Sequence, residues 1–323
     1  MKKIFITAIL IISALAFYIG RSNHTLVSVF SEEESSRLIS VDTTSEQTQI
    51  PSRAEMVMKA ISRAYQDRVS PAEFRDGDWA FLLDGTWYYY AEGRILPEEH
   101  RNRVSEYTGL IFYNYPKEQP EWTPPSPEYA ERMREMTERF YSGSRQVIGR
   151  PTYFFDTLWQ SHNRQEAYEQ LKTISFLGHR LNIHMGIVDK LSFVNDRILR
   201  EAVTNTSVSN WIESIGTVDG WGWRDIASSV NRSFHSYGLA IDILPKNLGG
   251  LQTYWVWTSQ HTPEWWNVPY SSRYQPPNEV IQAFESYGFI WGGKWPHFDT
   301  MHFEYRPEVF ILSNIPMAES LGL

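Results

Sequence analysis

The chain has 323 residues, 42% of them hydrophobic, and it carries a formal net charge of −8 at pH 7. An acidic chain without a basic run argues against nucleic acid as a partner. The absence of cysteine excludes disulfides, thiolate zinc sites, a cysteine nucleophile and a lipid-modified N-terminal cysteine. A chain of this length can form one large domain or two smaller ones, each with a hydrophobic core.

The N-terminus predicts export. The apolar run "IFITAILIISALAFYIG" follows "MKK" and precedes Arg21, a pattern typical of a signal peptide or signal anchor over residues 1–20. Ala14 and Ala16 have the spacing of a cleavage site but lie inside the apolar run. Because the full run is long enough to span a bilayer, an uncleaved anchor is favoured over a cleaved signal. Residues 21–50 are rich in Ser, Thr and Glu, which predicts a flexible tether.

Residues 51–160 are predicted to form an accessory lobe without catalytic residues. Apolar positions at helical spacing predict a helix over residues 51–69. Asp84-Gly85 lies between two apolar runs and predicts a hairpin. Ser126 has the character of a helix N-cap. The many Tyr and Trp residues are interpreted as core.

Residues 161–315 are predicted to form a second domain of the α+β class. Apolar residues from Leu171 to Ile198 recur at helical spacings, which predicts one long helix or two joined helices. Shorter segments then have β character: "TSVSNWIESI", "GLAIDIL", "TYWVW" and "MHFEY". Helices followed by clustered strands indicate an antiparallel sheet flanked by helices.

The segment "SFHSYGLAIDIL" places a carboxylate in a predicted buried strand. A buried Asp242 is costly unless a cation or a metal pairs with it. Gly238 permits a bend, so that His235 on the preceding turn and Asp242 can converge. His302 lies in a second predicted strand, "MHFEY". Two histidines and one carboxylate form a donor set that suits Zn²⁺ and leaves a fourth position for water, as in a hydrolase.

Spacing alone leaves alternatives open. A polar core without metal accounts for the same residues about as well. His297 with Asp299 and His302 could form a rival local site, although a loop role is favoured for His297. Asp299 lies three residues before His302 and could take a proton from water.

The two halves together resemble the zinc peptidases of the bacterial cell wall. This family includes D-alanyl-D-alanine carboxypeptidases, vancomycin-resistance dipeptidases and phage L-alanyl-D-glutamate endopeptidases. Its pattern "SxHxxGxAxD" is matched from Ser233 to Asp242, and its "D/ExxH" from Asp299 to His302. The preceding "FIWGGKW" is similar to the Trp-Gly-Gly approach of one branch. The similarity covers about residues 170–310.

The resemblance implies a zinc site held by His235, Asp242 and His302. Asp299 would be the general base toward the zinc-bound water and then the acid toward the leaving amine. Arg224, in "DGWGWRDI", would hold a substrate carbonyl or carboxylate and steady the oxyanion. Residues 161–315 would then be a zinc peptidase domain.

Three further features have two interpretations each. Ser233 would bind a polar group of the peptide, although a turn-capping serine is commoner. Glu304 would support a metal ligand or form an outward salt bridge. The Trp-rich stretch 249–277 would bind glycan or, the favoured interpretation, pack on itself over the sheet edge.

The predicted function is hydrolysis of peptidoglycan stem peptides. Many carboxypeptidase members have Glu where this chain has Asp299, so an endopeptidase of the L-Ala-D-Glu type is favoured over a D-alanyl-D-alanine carboxypeptidase. A non-catalytic cell-wall-binding module is the rival, and the presence of Asp299 and Arg224 argues against it. The protein is expected to be periplasmic or on the cell surface, to bind no nucleic acid, and to contact the membrane only through its N-terminal segment.

Overall fold

The structure is a computed structural model and describes residues 51–143, 148–227 and 229–318. The predicted signal segment (1–20) and tether (21–50) lie outside these residues. Within the described ranges, no helix combines the length and the apolar character needed to cross a membrane.

The described chain mixes helices and antiparallel strands. The helices are α1 Arg53–Ala64, α2 Pro127–Tyr141, α3 Tyr153–Leu158, α4 Arg164–Glu169, α5 Val188–Ala202, α6 Thr206–Ser214, α7 Trp255–Ser259, α8 Asn278–Glu285 and α9 Pro307–Leu312. The strands are β1 Glu73–Arg75, β2 Asp78–Leu83, β3 Thr86–Tyr89, β4 Leu96–Pro97, β5 Leu171–Phe176, β6 His179–His184, β7 Ile215–Asp219, β8 Ala240–Pro245, β9 Phe289–Trp291 and β10 His302–Tyr305.

The strands of the described residues form antiparallel sheets, which confirms the predicted α+β class. Strands β1 to β4 form one sheet in chain order, and β5 pairs with β6. The third sheet has the order β7-β8-β10-β9, with β10 inserted between β8 and β9. The two strands predicted to carry the site, β8 and β10, are therefore neighbours.

The predicted hairpin and the predicted cap at Ser126 are confirmed, and the helix predicted over residues 51–69 forms over Arg53–Ala64. The Ser52 hydroxyl accepts a hydrogen bond from the backbone of Glu55 at the start of α1. Asp84 and Gly85 join β2 to β3 with φ of 48° and 81°. Both residues are left-handed, as a two-residue turn between twisted strands requires. Ser126 caps α2 in the same way as Ser52 caps α1.

The long helix predicted from Leu171 to Ile198 is wrong over its first half. This part forms the hairpin of β5 and β6, and helix α5 begins only at Val188. The turn between the strands consists of Leu177 and Gly178, with φ of 47° and 83°. Two successive left-handed residues end a right-handed helix, so the apolar side chains on either side pair across strands instead.

Two segments predicted as strands are helices. "TSVSNWIESI" forms α6, whose first turn is capped because the Asn205 side chain accepts from the backbone of Ser207 and Val208. "TYWVW" contributes most of α7. Their β-branched and aromatic residues favour strands only weakly, and capping and burial outweigh that preference.

A large hydrophobic cluster joins both halves of the described chain. Ile61 and Phe81, from the predicted accessory lobe, pack in the same cluster as Leu191, Ile241 and Phe303. The division at residue 160 stays a prediction, but the core continues across it. The two parts therefore depend on each other for burial of apolar surface.

The Trp-rich stretch packs on itself and on α2, in agreement with the favoured interpretation. Trp255 and Trp265 are 1% and 0% exposed, so neither ring face is open to a glycan. Their cluster includes Met133 and Met136 of α2 and Phe298 of the loop before β10.

Candidate metal centre

Two central strands bring two of the predicted ligands together. Asp242 of β8 and His302 of β10 are directly opposite each other in the antiparallel pair. Residues opposite each other project from the same face of a sheet. His302 Nδ1 lies 2.8 Å from Asp242 Oδ1, and both side chains are buried.

The third ligand comes from the turn that precedes β8. His235 lies in the 3-10 turn Phe234–Tyr237 and is completely buried. Its Nε2 atom is 3.2 Å from Asp242 Oδ2 and 3.3 Å from His302 Nδ1. The three side chains predicted as ligands therefore meet at one point.

The bend predicted at Gly238 is confirmed. Gly238 ends the 3-10 turn with φ of 71°, a left-handed conformation. A Cβ atom at this position would approach the backbone nitrogen of His184 to 2.7 Å. The bend that aims His235 at Asp242 thus requires glycine for both its dihedral angle and its space.

The outer ring nitrogens of both histidines are also held. His235 Nδ1 is 2.5 Å from the carbonyl oxygen of Gly220. Because a carbonyl only accepts, Nδ1 donates and Nε2 turns its lone pair to the site. His302 Nε2 lies 3.2 Å from Glu304 Oε2, so Glu304 contacts the ring of a predicted ligand, as one of its two predicted roles requires.

The charges at this point favour a cation. Burial alone would lower the pKa of His302, but hydrogen bonds to Asp242 and Glu304 raise it to about 10. Burial alone would raise the pKa of Asp242, but His235 and His302 hold it well below its usual range. The raised pKa of His302 reports the negative charge of the two carboxylates, and the lowered pKa of Asp242 reports that its carboxylate is stabilised by positive charge, as a bound divalent cation would also supply.

The donor set fits zinc. The ligand atoms of His235, Asp242 and His302 lie within 4.8 Å of one another, and no other such group of metal-binding side chains occurs in the described residues. Two imidazole nitrogens and one carboxylate oxygen suit Zn²⁺, and three protein ligands leave a position for water.

The rival local site around His297 does not form. His297 Nε2 lies 2.7 Å from the sulfur of Met136 on α2, and its ring packs against Trp255 and Trp265. Burial lowers the pKa of His297 to about 4, so its ring is neutral at pH 7. His297 is thus a loop residue that packs against two tryptophans, in line with the loop role favoured from the sequence.

Asp299 lies beside the ligand group, in the loop before β10, and is 1% exposed. Its backbone nitrogen donates to the carbonyl oxygen of Gly292 at 3.0 Å, and its own carbonyl oxygen accepts from His302 at 3.2 Å. A Cβ atom on Gly292 would collide with the Asp299 carbonyl oxygen. The "WGGK" sequence is therefore explained by the tight path of the loop that carries Asp299.

Arg224 approaches the site from the loop after β7. Its Nη2 atom is 3.9 Å from Asp242 Oδ2, and its side chain is 21% exposed. Neither Nε nor Nη2 has a hydrogen-bond partner among the described residues. Burial lowers the pKa of Arg224, and Asp242, Asp219 and Asp299 oppose that shift. The guanidinium thus has donors available for a ligand.

A serine that the sequence reasoning missed positions this arginine. Ser236 Oγ accepts from the backbone nitrogen of Arg224 at 2.8 Å and donates to its carbonyl oxygen at 2.7 Å. Ser233, which is predicted to bind the peptide, accepts from the backbone of His235 at 3.3 Å with its hydroxyl and caps its turn. The backbone nitrogen of Ser233 donates to the carbonyl oxygen of Arg224 at 3.1 Å. The only sequence signal for Ser236 is its place next to His235.

Comparison with known families agrees with the site. Residues 227–305 match the family described as D-alanyl-D-alanine carboxypeptidase. This carboxypeptidase-family segment contains β8, β9 and β10, and with them the three predicted ligands and Asp299, whereas Arg224 lies outside it. The resemblance inferred from the motifs is confirmed.

A second match lies in the predicted accessory lobe. Residues 57–112 match a family described as Domain of unknown function (DUF8518). No curated protein and no solved structure is significantly similar to the chain.

Proposed function

We propose that the protein is a zinc metallopeptidase that hydrolyses peptide bonds in peptidoglycan stem peptides. The observation that carries the proposal is the convergence of His235, Asp242 and His302 inside a carboxypeptidase-family segment. When bound, zinc supplies a Lewis acid that polarises a carbonyl group and lowers the pKa of water.

Asp299 is proposed to move the proton. Its carboxylate accepts a proton from the attacking water and delivers it to the nitrogen of the leaving amine as the C–N bond breaks. Two features support this role: Asp299 lies outside the ligand group, and its charge acts on both Arg224 and His302. A buried carboxylate close to the ligands is poised for proton transfer rather than for binding the metal.

Arg224 is proposed to hold the substrate carbonyl or carboxylate and to stabilise the oxyanion. Its Nε and Nη2 groups lack partners within the described chain, and Ser236 fixes its backbone. A planar guanidinium presents parallel donors to a carboxylate or an oxyanion. Substrate binding by Ser233 stays a prediction, since its hydroxyl already caps the turn of His235.

We favour an endopeptidase that cuts the L-Ala-D-Glu bond or within the stem, because Asp299 occupies the position where many carboxypeptidases have Glu. A D-alanyl-D-alanine carboxypeptidase is the second candidate. The description of the matching family favours it, and so does Arg224, because a terminal carboxylate requires a cation beside the metal.

We also propose that the protein acts outside the cytoplasm. The apolar run after "MKK" and the polar stretch of residues 21–50 support an exported chain tethered to the membrane. In that arrangement, residues 161–315 form the peptidase domain and face the cell wall.

The test is incubation of the purified full chain with muropeptides, with and without chelator and with zinc added back, followed by mass spectrometry. Chelator-sensitive release of the peptide from its L-Ala, or a cut inside the stem, identifies an endopeptidase. Loss of a single D-Ala identifies a carboxypeptidase. Absence of cleavage by a chain that retains stoichiometric zinc would refute the peptidase and favour the cell-wall-binding module.

A further inference from the structure

A buried chain of polar groups runs from His302 away from the metal centre. Glu304 contacts His302 Nε2 with Oε2 and accepts from Arg306 Nη1 with Oε1, both at 3.2 Å. Arg306 Nε donates to Glu308 Oε1. Tyr65 donates from its hydroxyl to Glu308 Oε2 at 2.7 Å. Alternating charges thus connect a metal ligand to the residue that follows α1.

All of these groups are buried, and Arg306 is their centre. Arg306 and Glu308 are 3% and 1% exposed. Arg306 also donates from Nη2 to the carbonyl oxygen of Ile111 at 2.8 Å, and its guanidinium lies over the ring of Phe234. Three acceptors and an aromatic ring therefore fix the guanidinium. Only arginine presents donors in this planar fork, whereas lysine is a point charge.

The contacts join the two matched segments of the chain. Tyr65 and Ile111 lie within residues 57–112, the match of unknown function, and Glu304 lies within residues 227–305. Arg306 directly follows the second match. The segment of unknown function thus contributes a hydroxyl and a carbonyl group to the support of His302.

Residues that follow this segment support the loop that leads to Asp299. Tyr113 accepts from Trp295 Nε1 at 2.7 Å with its hydroxyl, and Tyr115 accepts from the backbone nitrogen of Trp291 at 2.9 Å. The N-terminal part of the chain therefore contacts residues next to both His302 and Asp299.

We propose that Arg306 is a positioning residue of the metal centre and that residues 57–112 complete this centre through Tyr65 and Ile111. Arg306 holds the Glu304 carboxylate, and Glu304 holds the ring of His302 with Nδ1 toward Asp242. The inference rests on the proposed zinc site and explains why the N-terminal segment shares a core with the peptidase segment.

The test measures zinc affinity of the full chain by competition with a chromogenic chelator, without substrate. Arg306→Lys keeps the positive charge but loses the planar set of guanidinium donors. We therefore expect zinc to bind roughly ten- to a hundredfold more weakly. Tyr65→Phe should weaken zinc binding by a smaller factor, roughly two- to tenfold. Tyr88→Phe is the matched control, because its partly buried hydroxyl lies 2.8 Å from Thr157 Oγ1 and outside this chain of groups. It should leave zinc affinity unchanged.

A double-mutant cycle separates positioning from general destabilisation. If Arg306 acts through Glu304, then Arg306→Lys adds little to the loss of affinity caused by Glu304→Gln. Additive losses, or an Arg306→Lys variant with unchanged zinc affinity, would overturn the inference. Should Arg306→Lys fail to fold, equal zinc affinity in Tyr65→Phe and Tyr88→Phe overturns it instead. Tight zinc binding without peptide cleavage contradicts the peptidase but not this inference.

Discussion

Replacement of Asp299 by Asn should separate catalysis from metal binding. The two side chains have nearly the same shape, so the buried site is neither enlarged nor overpacked. The amide, however, cannot accept a proton from water. Since Asp299 lies outside the group of His235, Asp242 and His302, zinc should remain bound in the variant.

The expected size of the loss in turnover follows from the proposed role of Asp299 as general base. Removal of a general base costs about 10²- to 10⁴-fold in rate. This corresponds to about 3–5 kcal/mol of transition-state stabilisation, since each tenfold change is about 1.36 kcal/mol. Stability should change little, because the substitution removes a carboxylate that is 1% exposed and whose desolvation is unfavourable.

The assay combines zinc content, thermal unfolding and muropeptide turnover of the full chain. Asp196→Asn is the matched control, because Asp196 is exposed on α5, far in sequence from the site. We expect turnover to be lost in Asp299→Asn and retained in Asp196→Asn, with equal zinc in both. Full turnover in Asp299→Asn would refute the assignment of the base, and loss of zinc would show that Asp299 is a ligand.

Three further outcomes are expected. Asp242→Ala should reduce bound zinc below one ion per chain, as measured by atomic absorption, and lower turnover accordingly; stoichiometric zinc would contradict the ligand set. Gly238→Ala should destabilise the chain more in thermal unfolding than Gly178→Ala, because both have positive φ but only Gly238 lacks space for a Cβ atom. In the metal-free chain, burial lowers the pKa of His302, but its hydrogen bonds to Asp242 and Glu304 raise it to about 10. A raised pKa stabilises the fold fully below the unfolded value of about 6.5, and this stabilisation is lost as pH rises through about 10. The difference in urea midpoint between the unmodified chain and His302→Gln should therefore shrink as the pH rises from about 7 to about 11. A difference that stays constant over this range would contradict the raised pKa of His302.

Predictions from the sequence were most accurate for turns and helix caps, where a local rule acts without competing tertiary contacts. The Asp84-Gly85 turn and the cap at Ser126 need only residues adjacent in the chain, and both are confirmed. The strand with Asp242 was recognised because an acidic residue among aliphatic ones needs a partner. His302 was recognised through its spacing from Asp299 in a known motif.

The predictions failed where tertiary contacts override weak preferences. The apolar residues after Leu171 fit helical spacing as well as strand pairing, and the left-handed turn at Gly178 decided between them. The "TYWVW" segment has strand propensity, yet Trp255 is buried in a helix against α2. Propensity differences of this kind are about 1 kcal/mol or less, so burial of a large aromatic side chain exceeds them.

By itself, the sequence predicted the ligands, the base and the arginine through the resemblance of two motifs to one family, and the structure brings the three predicted ligands together. Only the tertiary structure decided that His297 packs against tryptophans, that the Ser236 hydroxyl holds the backbone of Arg224, and that Arg306 links Glu304 to the N-terminal segment. These contacts join residues that are distant in the chain. Their geometry depends on how the sheet and loops pack together, and no local pattern encodes it.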